Sequence, residues 1–151
     1  MEHKIIDTQE VVIRFTGDSG DGMQLTGTLF ADASALYGNE ISTFPDYPAE
    51  IRAPQGTVAG VSGFQVHIGA TEVKTPGDYC DVLVAMNPAA LKANAKWAKP
   101  GASIIIDTDS FDEKGLEKAG FKTNDPIEEM NLKDYHIIWA PITTLTKESL
   151  K

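Results

Sequence analysis

Six residues near the start of the chain, Gly17-Asp18-Ser19-Gly20-Asp21-Gly22, have the composition of a ligand-binding turn. They follow an apolar run, Val11-Val12-Ile13-Arg14-Phe15-Thr16, and precede a helical pattern. Glycines at a strand-to-helix turn admit φ > 0 and let a ligand approach the backbone. The helix that follows presents unpaired N–H groups and the positive end of its dipole. Such a turn suits a phosphate or pyrophosphate at the carboxyl edge of an open α/β sheet. The donors would be the amides of Gly17, Gly20, Gly22 and Met23, with the Ser19 hydroxyl either bonding the ligand or capping the helix. Asp18 and Asp21 bring negative charge into the loop, where one of them caps the helix or accepts a ribose hydroxyl. The other reading is a tight turn with no ligand.

The spacing is G-x-x-G-x-G. A P-loop requires Gly-Lys-Ser/Thr, and this loop has no lysine. A dinucleotide fingerprint reads G-x-G-x-x-G and wants an acidic residue after the second strand, for which Asp46 is the candidate in a proline-rich segment. A small Rossmann-like nucleotide-binding protein is therefore an alternative that the spacing disfavours. A pure interaction domain is the second alternative.

Other residues carry weaker signals. Asn87 would close a central strand beside the glycine loop if the two strands are neighbours, and Asn87-Pro88 also reads as a helix start. Cys80 reads as a buried, inert thiol. His67 and His136 fall in strand patterns without a ligand partner and read as structural. Trp97 and Trp139 read as packing residues. No Ser/His/Asp or Cys/His arrangement is visible, so no residue is assigned to catalysis or to a metal.

The elements that must position the loop alternate strand and helix. Leu25, Leu29, Ala33 and Leu36 are spaced to line one face of the first helix, with Gly38 closing it. Ile41–Phe44 reads as a short strand, and the prolines from Pro45 to Gly56 predict a loop. Val58–Ile68 alternates as a long strand, and Thr75-Pro76 predicts a helix start. Val82–Met86 and Ser103–Asp107 read as strands buried on both faces. A helix is expected from Asn87 to about Lys99, another over Asp112–Ala119, a last strand over Tyr135–Trp139, and a final helix from Thr144 or Thr146. The pattern predicts an α/β layered domain with a central mixed, largely parallel sheet flanked by helices. At least one antiparallel pair is expected at Val58–Ile68, because no helix precedes it.

Composition narrows the function classes. Thirteen Lys and Arg against 22 Asp and Glu give a net charge of −9 over 151 residues, a poor match for a nucleic-acid backbone. The single cysteine allows neither an internal disulfide nor a cysteine-ligated cluster from this chain alone. No apolar run reaches the roughly 20 residues that a bilayer requires, so no membrane partner is expected. The N-terminus lacks a signal-peptide core, and the chain reads as cytoplasmic.

Three blocks resemble the gamma subunit or gamma domain of 2-oxoacid:ferredoxin oxidoreductases. Gly17-Asp18-Ser19-Gly20-Asp21-Gly22-Met23-Gln24-Leu25-Thr26-Gly27 is similar to the family's G-x-G-G-Q-G opening. Tyr47-Pro48-Ala49-Glu50-Ile51-Arg52 resembles its Tyr-Gly-x-Glu-Met-Arg segment. Asp81-Val82-Leu83-Val84-Ala85-Met86-Asn87-Pro88-Ala89-Ala90 is similar to its Asp-x-Leu-(Val/Ile)-Ala-x-x-Pro-x-Ala strand-to-helix segment. Ser19, Asp21 and Pro48 depart from the pattern, as does Ala53-Pro54 in place of Gly-Gly. These variants look most like the N-terminal gamma domain of fused alpha subunits of the 2-oxoglutarate type.

The resemblance implies a single gamma-type domain over residues 1–151, cut short of the family's usual C-terminus. It implies a role within oxidative decarboxylation of a 2-oxoacid to acyl-coenzyme A. Coenzyme A would bind at Gly17, Ser19, Gly20, Asp21, Gly22 and Met23. Tyr47, Glu50, Arg52 and Asn87 would face substrate or a neighbouring subunit, although Glu50 and Arg52 would also serve as a pair organising their loop. Thiamine pyrophosphate and the iron–sulfur clusters would belong to partner domains, and ferredoxin would accept electrons from the whole complex. The chain alone is expected to be inactive.

Overall fold

Residues 11–16 alternate between half-buried and buried, and that alternation decides the layering. The computed structural model describes residue 5, residues 7–47 and residues 60–150. Strand β1 (Glu10–Asp18) buries Val12, Arg14 and Thr16 on one face, while Val11, Ile13 and Phe15 point to the other. Helix α1 (Met23–Leu36) lies on the Phe15 face, where Phe15 meets Phe30 edge-on at 5.4 Å between ring centres. Helix α2 (Pro88–Asn94) lies on the Arg14 face, where Arg14 Nε donates to Asn94 Oδ1 at 2.9 Å.

The remaining strands are β2 (Glu40–Asp46), β3 (Val61–Gly69), β4 (Cys80–Ala85), β5 (Ala98–Asp107) and β6 (His136–Ala140). They form one sheet of order β2-β3-β1-β4-β5-β6. β1–β4, β4–β5 and β5–β6 pair in parallel, whereas β3 runs antiparallel to both β1 and β2. The mixed, helix-flanked α/β sheet and the antiparallel pairing expected near Val58–Ile68 are thus both present. The main core lies on the α2 face, where Leu83, Leu91, Ile104 and Ile106 are completely buried. Each such side chain contributes roughly 1.5–3 kcal/mol of hydrophobic stabilisation.

Local chemistry sets the element ends. Gly22 (φ 73°) turns the chain into α1, and Gly38 (φ 86°) turns it out, donating its N–H to Ala35 O at 2.9 Å. Asn87 caps α2 by accepting Ala90 N–H at 2.8 Å, and Pro88 occupies the first turn. Asp112 caps α3 (Glu113–Lys118) in the same way, through Gly115 N–H at 2.7 Å.

Several expectations are corrected. α2 stops at Asn94, and a 3-10 turn over Ala95–Trp97 leads directly into β5, so the helix does not reach Lys99. Pro45 and Asp46 belong to β2 rather than to the loop. β2 is the edge of the sheet, where a missing N–H breaks no ladder. Thr75-Pro76 starts no helix. The carbonyls there are taken by β3 side chains: Gln65 Nε2 donates to Pro76 O at 2.9 Å, and His67 Nδ1 lies 2.6 Å from Thr75 O. Helix α4 (Pro126–Glu129), capped by Asp125, was not expected.

The last helix, α5 (Ile142–Ser149), begins before Thr144 because Asp107, at the end of β5, and Asp109, in the turn after it, hold its first turn. Asp107 accepts Thr143 Oγ1 at 2.6 Å and Thr143 N–H at 3.3 Å, and Asp109 accepts Thr144 N–H at 2.7 Å. Burial by itself would raise the Asp107 pKa. The donors from Thr143, Asp109 and Ile142 outweigh it and hold the carboxyl below its usual value. A carboxyl depressed in the folded state adds stability above its unfolded pKa, and that stability is lost as pH falls through the folded value. Thermal unfolding between neutral pH and about pH 3 should therefore show a steeper loss for the native protein than for Asp107→Asn. Equal slopes would remove Asp107 from the acid response.

Candidate functional site

The glycine loop is assembled by two neighbouring parallel strands. β1 pairs with β4 in the register Thr16↔Ala85, and Met86 N–H donates to Thr16 O at 2.9 Å. Asn87, two residues past β4, is thereby set beside the loop, as its position in the sequence suggested. Its side-chain Nδ2 lies 3.5 Å from Asp21 Oδ2, so one amide group both caps α2 and faces the loop.

Within the loop, Asp21 folds back on the chain. Its Oδ2 accepts Asp18 N–H at 2.8 Å, and its own N–H donates to Asp18 O at 3.0 Å. This explains Gly17, where a Cβ would stand 2.9 Å from Asp21 Oδ2. Gly17 is buried and makes room for the carboxylate, whereas Gly20 and Gly22 are exposed with open space where a Cβ would go. Ser19 does not cap the helix; its N–H donates to Gly60 O at 3.2 Å.

The head of α1 is correspondingly open. No described side chain caps it, and no acidic residue lies in its first turn. The first-turn amides around the buried Met23 therefore keep the unpaired donors and positive dipole end that attract an anion. Gln24 is the residue that sequence reasoning passed over. Its Nε2 donates to Gly63 O at 2.7 Å and Ser62 Oγ at 3.1 Å, tying the head of α1 to β3. Its Oε1 is buried without a partner among the described residues. The one signal for it was a long polar side chain in the first turn, directly after the glycine loop.

The other sequence candidates are separated from this cluster or lie outside the described residues. Tyr47 is 66 % exposed just beyond β2. Glu50 and Arg52 fall outside the described residues. Cys80 is fully buried, and desolvation raises its thiol pKa to about 11, which keeps it an unreactive thiol. His67 is buried between Thr75 O and the Glu10 carboxylate, whereas His136 is exposed on the edge strand. Trp97 and Trp139 are partly exposed, Trp139 meeting Phe111 edge-on.

A cavity of about 600 Å³ opens on the α2 face, away from the glycine loop. Arg14, Asp46 and Gln65 form its floor, and Phe44, Tyr79 and Trp97 form its walls. Arg14 is 6 % exposed and is held by Asn94, Gln65 and Asp46, with Trp97 5.9 Å away. Its polar groups satisfy one another, which marks a structural network. None of the residues assigned to coenzyme A lines it; Asp46, the candidate acidic residue of a dinucleotide site, does, and there it is paired with Arg14.

Comparison with known proteins gives a consistent answer. The chain is 54 % identical over 138 residues to the 2-oxoglutarate oxidoreductase subunit KorA of Mycobacterium tuberculosis, covering 91 % of this chain and 21 % of that protein. It is 29 % identical over 140 residues to the 2-oxoglutarate synthase subunit KorC of Methanothermobacter marburgensis, covering 91 % of this chain and 67 % of that one. In structure it matches a 2-oxoglutarate:ferredoxin oxidoreductase from Magnetococcus marinus that has 2-oxoglutarate, coenzyme A and succinyl-CoA bound. That match has a TM-score of 0.69 at 25 % identity and covers 94 % of this chain and 22 % of the other. Among the described residues no helix is long and apolar enough to cross a membrane. Residues 12–151 match the family of pyruvate ferredoxin/flavodoxin oxidoreductases, and the chain belongs to that family as its gamma-type domain.

Proposed function

We propose that this domain holds coenzyme A for a 2-oxoacid:ferredoxin oxidoreductase acting on 2-oxoglutarate. The carrying observation is the uncapped, acid-free first turn of α1, placed directly after a loop with open space at Gly20 and Gly22. The pyrophosphate accepts the amides of Gly22 and Met23, with Ser19, Gly20 and Asn87 at the rim. Asp21 stays engaged with Asp18 and shapes the loop. The coenzyme A in the Magnetococcus marinus enzyme and the high identity to KorA support this reading. Thiamine pyrophosphate, the iron–sulfur clusters and the ferredoxin contact belong to other parts of the enzyme, where thiamine supplies the carbanion-stabilising chemistry. This chain's own lone thiol, Cys80, is buried and fits none of those roles.

Gly20→Asp tests the site without straining the fold, because a Cβ there meets nothing within 4 Å. A third carboxylate in the loop should weaken coenzyme A about tenfold, or ~1.4 kcal/mol, in the assembled enzyme. Pantetheine, which lacks the pyrophosphate, should serve both forms equally well. Unchanged affinity for coenzyme A in Gly20→Asp would refute the assignment.

A further inference from the structure

Helix α1 sits on the sheet with its small residues inward. Met23, Gly27 and Ala31 are buried, whereas Leu25, Leu29 and Leu36 are 64 %, 59 % and 89 % exposed, with Tyr37 at 89 %. The most regular apolar stripe in the sequence therefore faces outward. Asp32 is the only charged residue between Gly22 and Asn39, and no lysine or arginine occurs from Gly17 to Tyr47.

The sheet repeats the asymmetry. On the α2 face Leu83, Ile104 and Ile106 are completely buried. On the α1 face Val84 is buried next to Phe15, but Val82 and Ile105 are only half-buried and Ile138 is exposed. Parallel strands are normally covered on both faces by helices. Among the described residues, one face of this domain has its layer and the other is incomplete.

We infer that the outer face of α1 is a docking surface for an uncharged apolar helical layer on the remaining part of the oxidoreductase, outside residues 1–151. This rests on the domain's membership of a larger enzyme, as proposed above. A lipid surface is disfavoured because interfacial helices use basic residues flanking the apolar face, and none is present here. An extended patch of large apolar side chains with a single charge marks a protein interface. KorA, of which this chain covers 21 %, has most of its polypeptide outside the matched part, from which such a layer can come. The stripe begins at Leu25, within the first turn from the glycine loop, so the docked layer closes over the loop and places it in an interdomain cleft.

Hydroxyl-radical footprinting of the complete, unmodified enzyme tests this. Leu25, Leu29, Leu36 and Tyr37 should be oxidised several-fold more slowly than Leu145, which is 56 % exposed on α5. A photoreactive benzoylphenylalanine at the exposed position 29 should then cross-link to an apolar peptide outside residues 1–151. Oxidation as fast as at Leu145, or a cross-link to α1 of a second copy, overturns the inference. Neither readout involves coenzyme A. A failed Gly20→Asp test with protected leucines would sink the ligand assignment and leave the docking face standing, and the converse result would do the reverse.

Discussion

Adding one methyl group at position 27 is expected to lower stability by about 1–2 kcal/mol, although alanine is the better helix former. Gly27 is buried in α1, and a Cβ there would stand 2.1 Å from Phe64 Cδ1 and 2.8 Å from Phe64 Cβ. The clash involves the root of the side chain as well as its ring. Phe64 is itself 7 % exposed and has nowhere to turn. A glycine-to-alanine change in a free helix gains about 1 kcal/mol, so the overpacking has to exceed that amount. Gly27→Val should cost about 3 kcal/mol, because it adds further carbons and a β-branched rotamer. Urea unfolding should show a lower midpoint with an unchanged slope. Phe64→Leu in the same chain should recover part of the loss, with a coupling of at least about 0.5 kcal/mol. Simple additivity would show that α1 does not rest on Phe64. Because Gly22 and Met23 head the same helix, Gly27→Val should also weaken coenzyme A.

Arg14→Leu is expected to cost about 3 kcal/mol, through what the guanidinium leaves behind. Its Nε donates to Asn94 at 2.9 Å and its Nη1 to Gln65 at 3.2 Å, while Nη2 bonds Asp46. Asn94 and Gln65 are 5 % and 3 % exposed, so each loses a partner that water replaces poorly. Asp46 is different: its side chain is 43 % exposed and resolvates readily. Asp46→Asn should therefore cost less than about 1 kcal/mol despite removing the formal ion pair. Arg14→Lys should fall between the two, because one ammonium cannot reproduce a fork that serves three acceptors. Paired thermal and urea melts of the three variants give the ranking. A larger loss for Asp46→Asn than for Arg14→Leu would show that the charge pair, not the buried amides, carries the network.

The sheet and its loop were legible because their signals are local. β-branched runs marked β1, β4 and β5, and Gly17–Gly22 marked the turn between β1 and α1. Asn87-Pro88 marked a cap that the structure places at Ala90 N–H. What failed was decided at long range. The spacing of Leu25, Leu29, Ala33 and Leu36 does define one face of α1, but large apolar residues cannot say which surface they meet. Against the sheet, closeness to Phe64 requires Gly27 and Ala31, so the leucines turn out. Thr75-Pro76 has the form of a helix start, yet Gln65 and His67 reach its carbonyls across the sheet. One of Asp18 and Asp21 was expected to cap the helix or accept a ribose hydroxyl, but neither caps α1, and the Asp21 carboxylate goes to Asp18 N–H instead. The buried Oε1 of Gln24 has no sequence signature of its own.

The position of β1 between β3 and β4 has a consequence for synthesis of the chain. Its two neighbours are far away in sequence: Ile13 pairs with Val66 on one side and Val82 on the other. At about 5–20 residues per second, a ribosome takes roughly 3–14 s to add the chain between Ile13 and Val82. Until β3 is made the first strand has no partner, and until β4 is made it keeps one open edge, with α1 already able to form beside it. β4, β5 and β6 instead follow one another in sheet order, so each can dock as soon as its connecting segment is complete. The strand that bears the glycine loop thus waits longest for its neighbours, and the loop takes shape only once Asn87 has emerged.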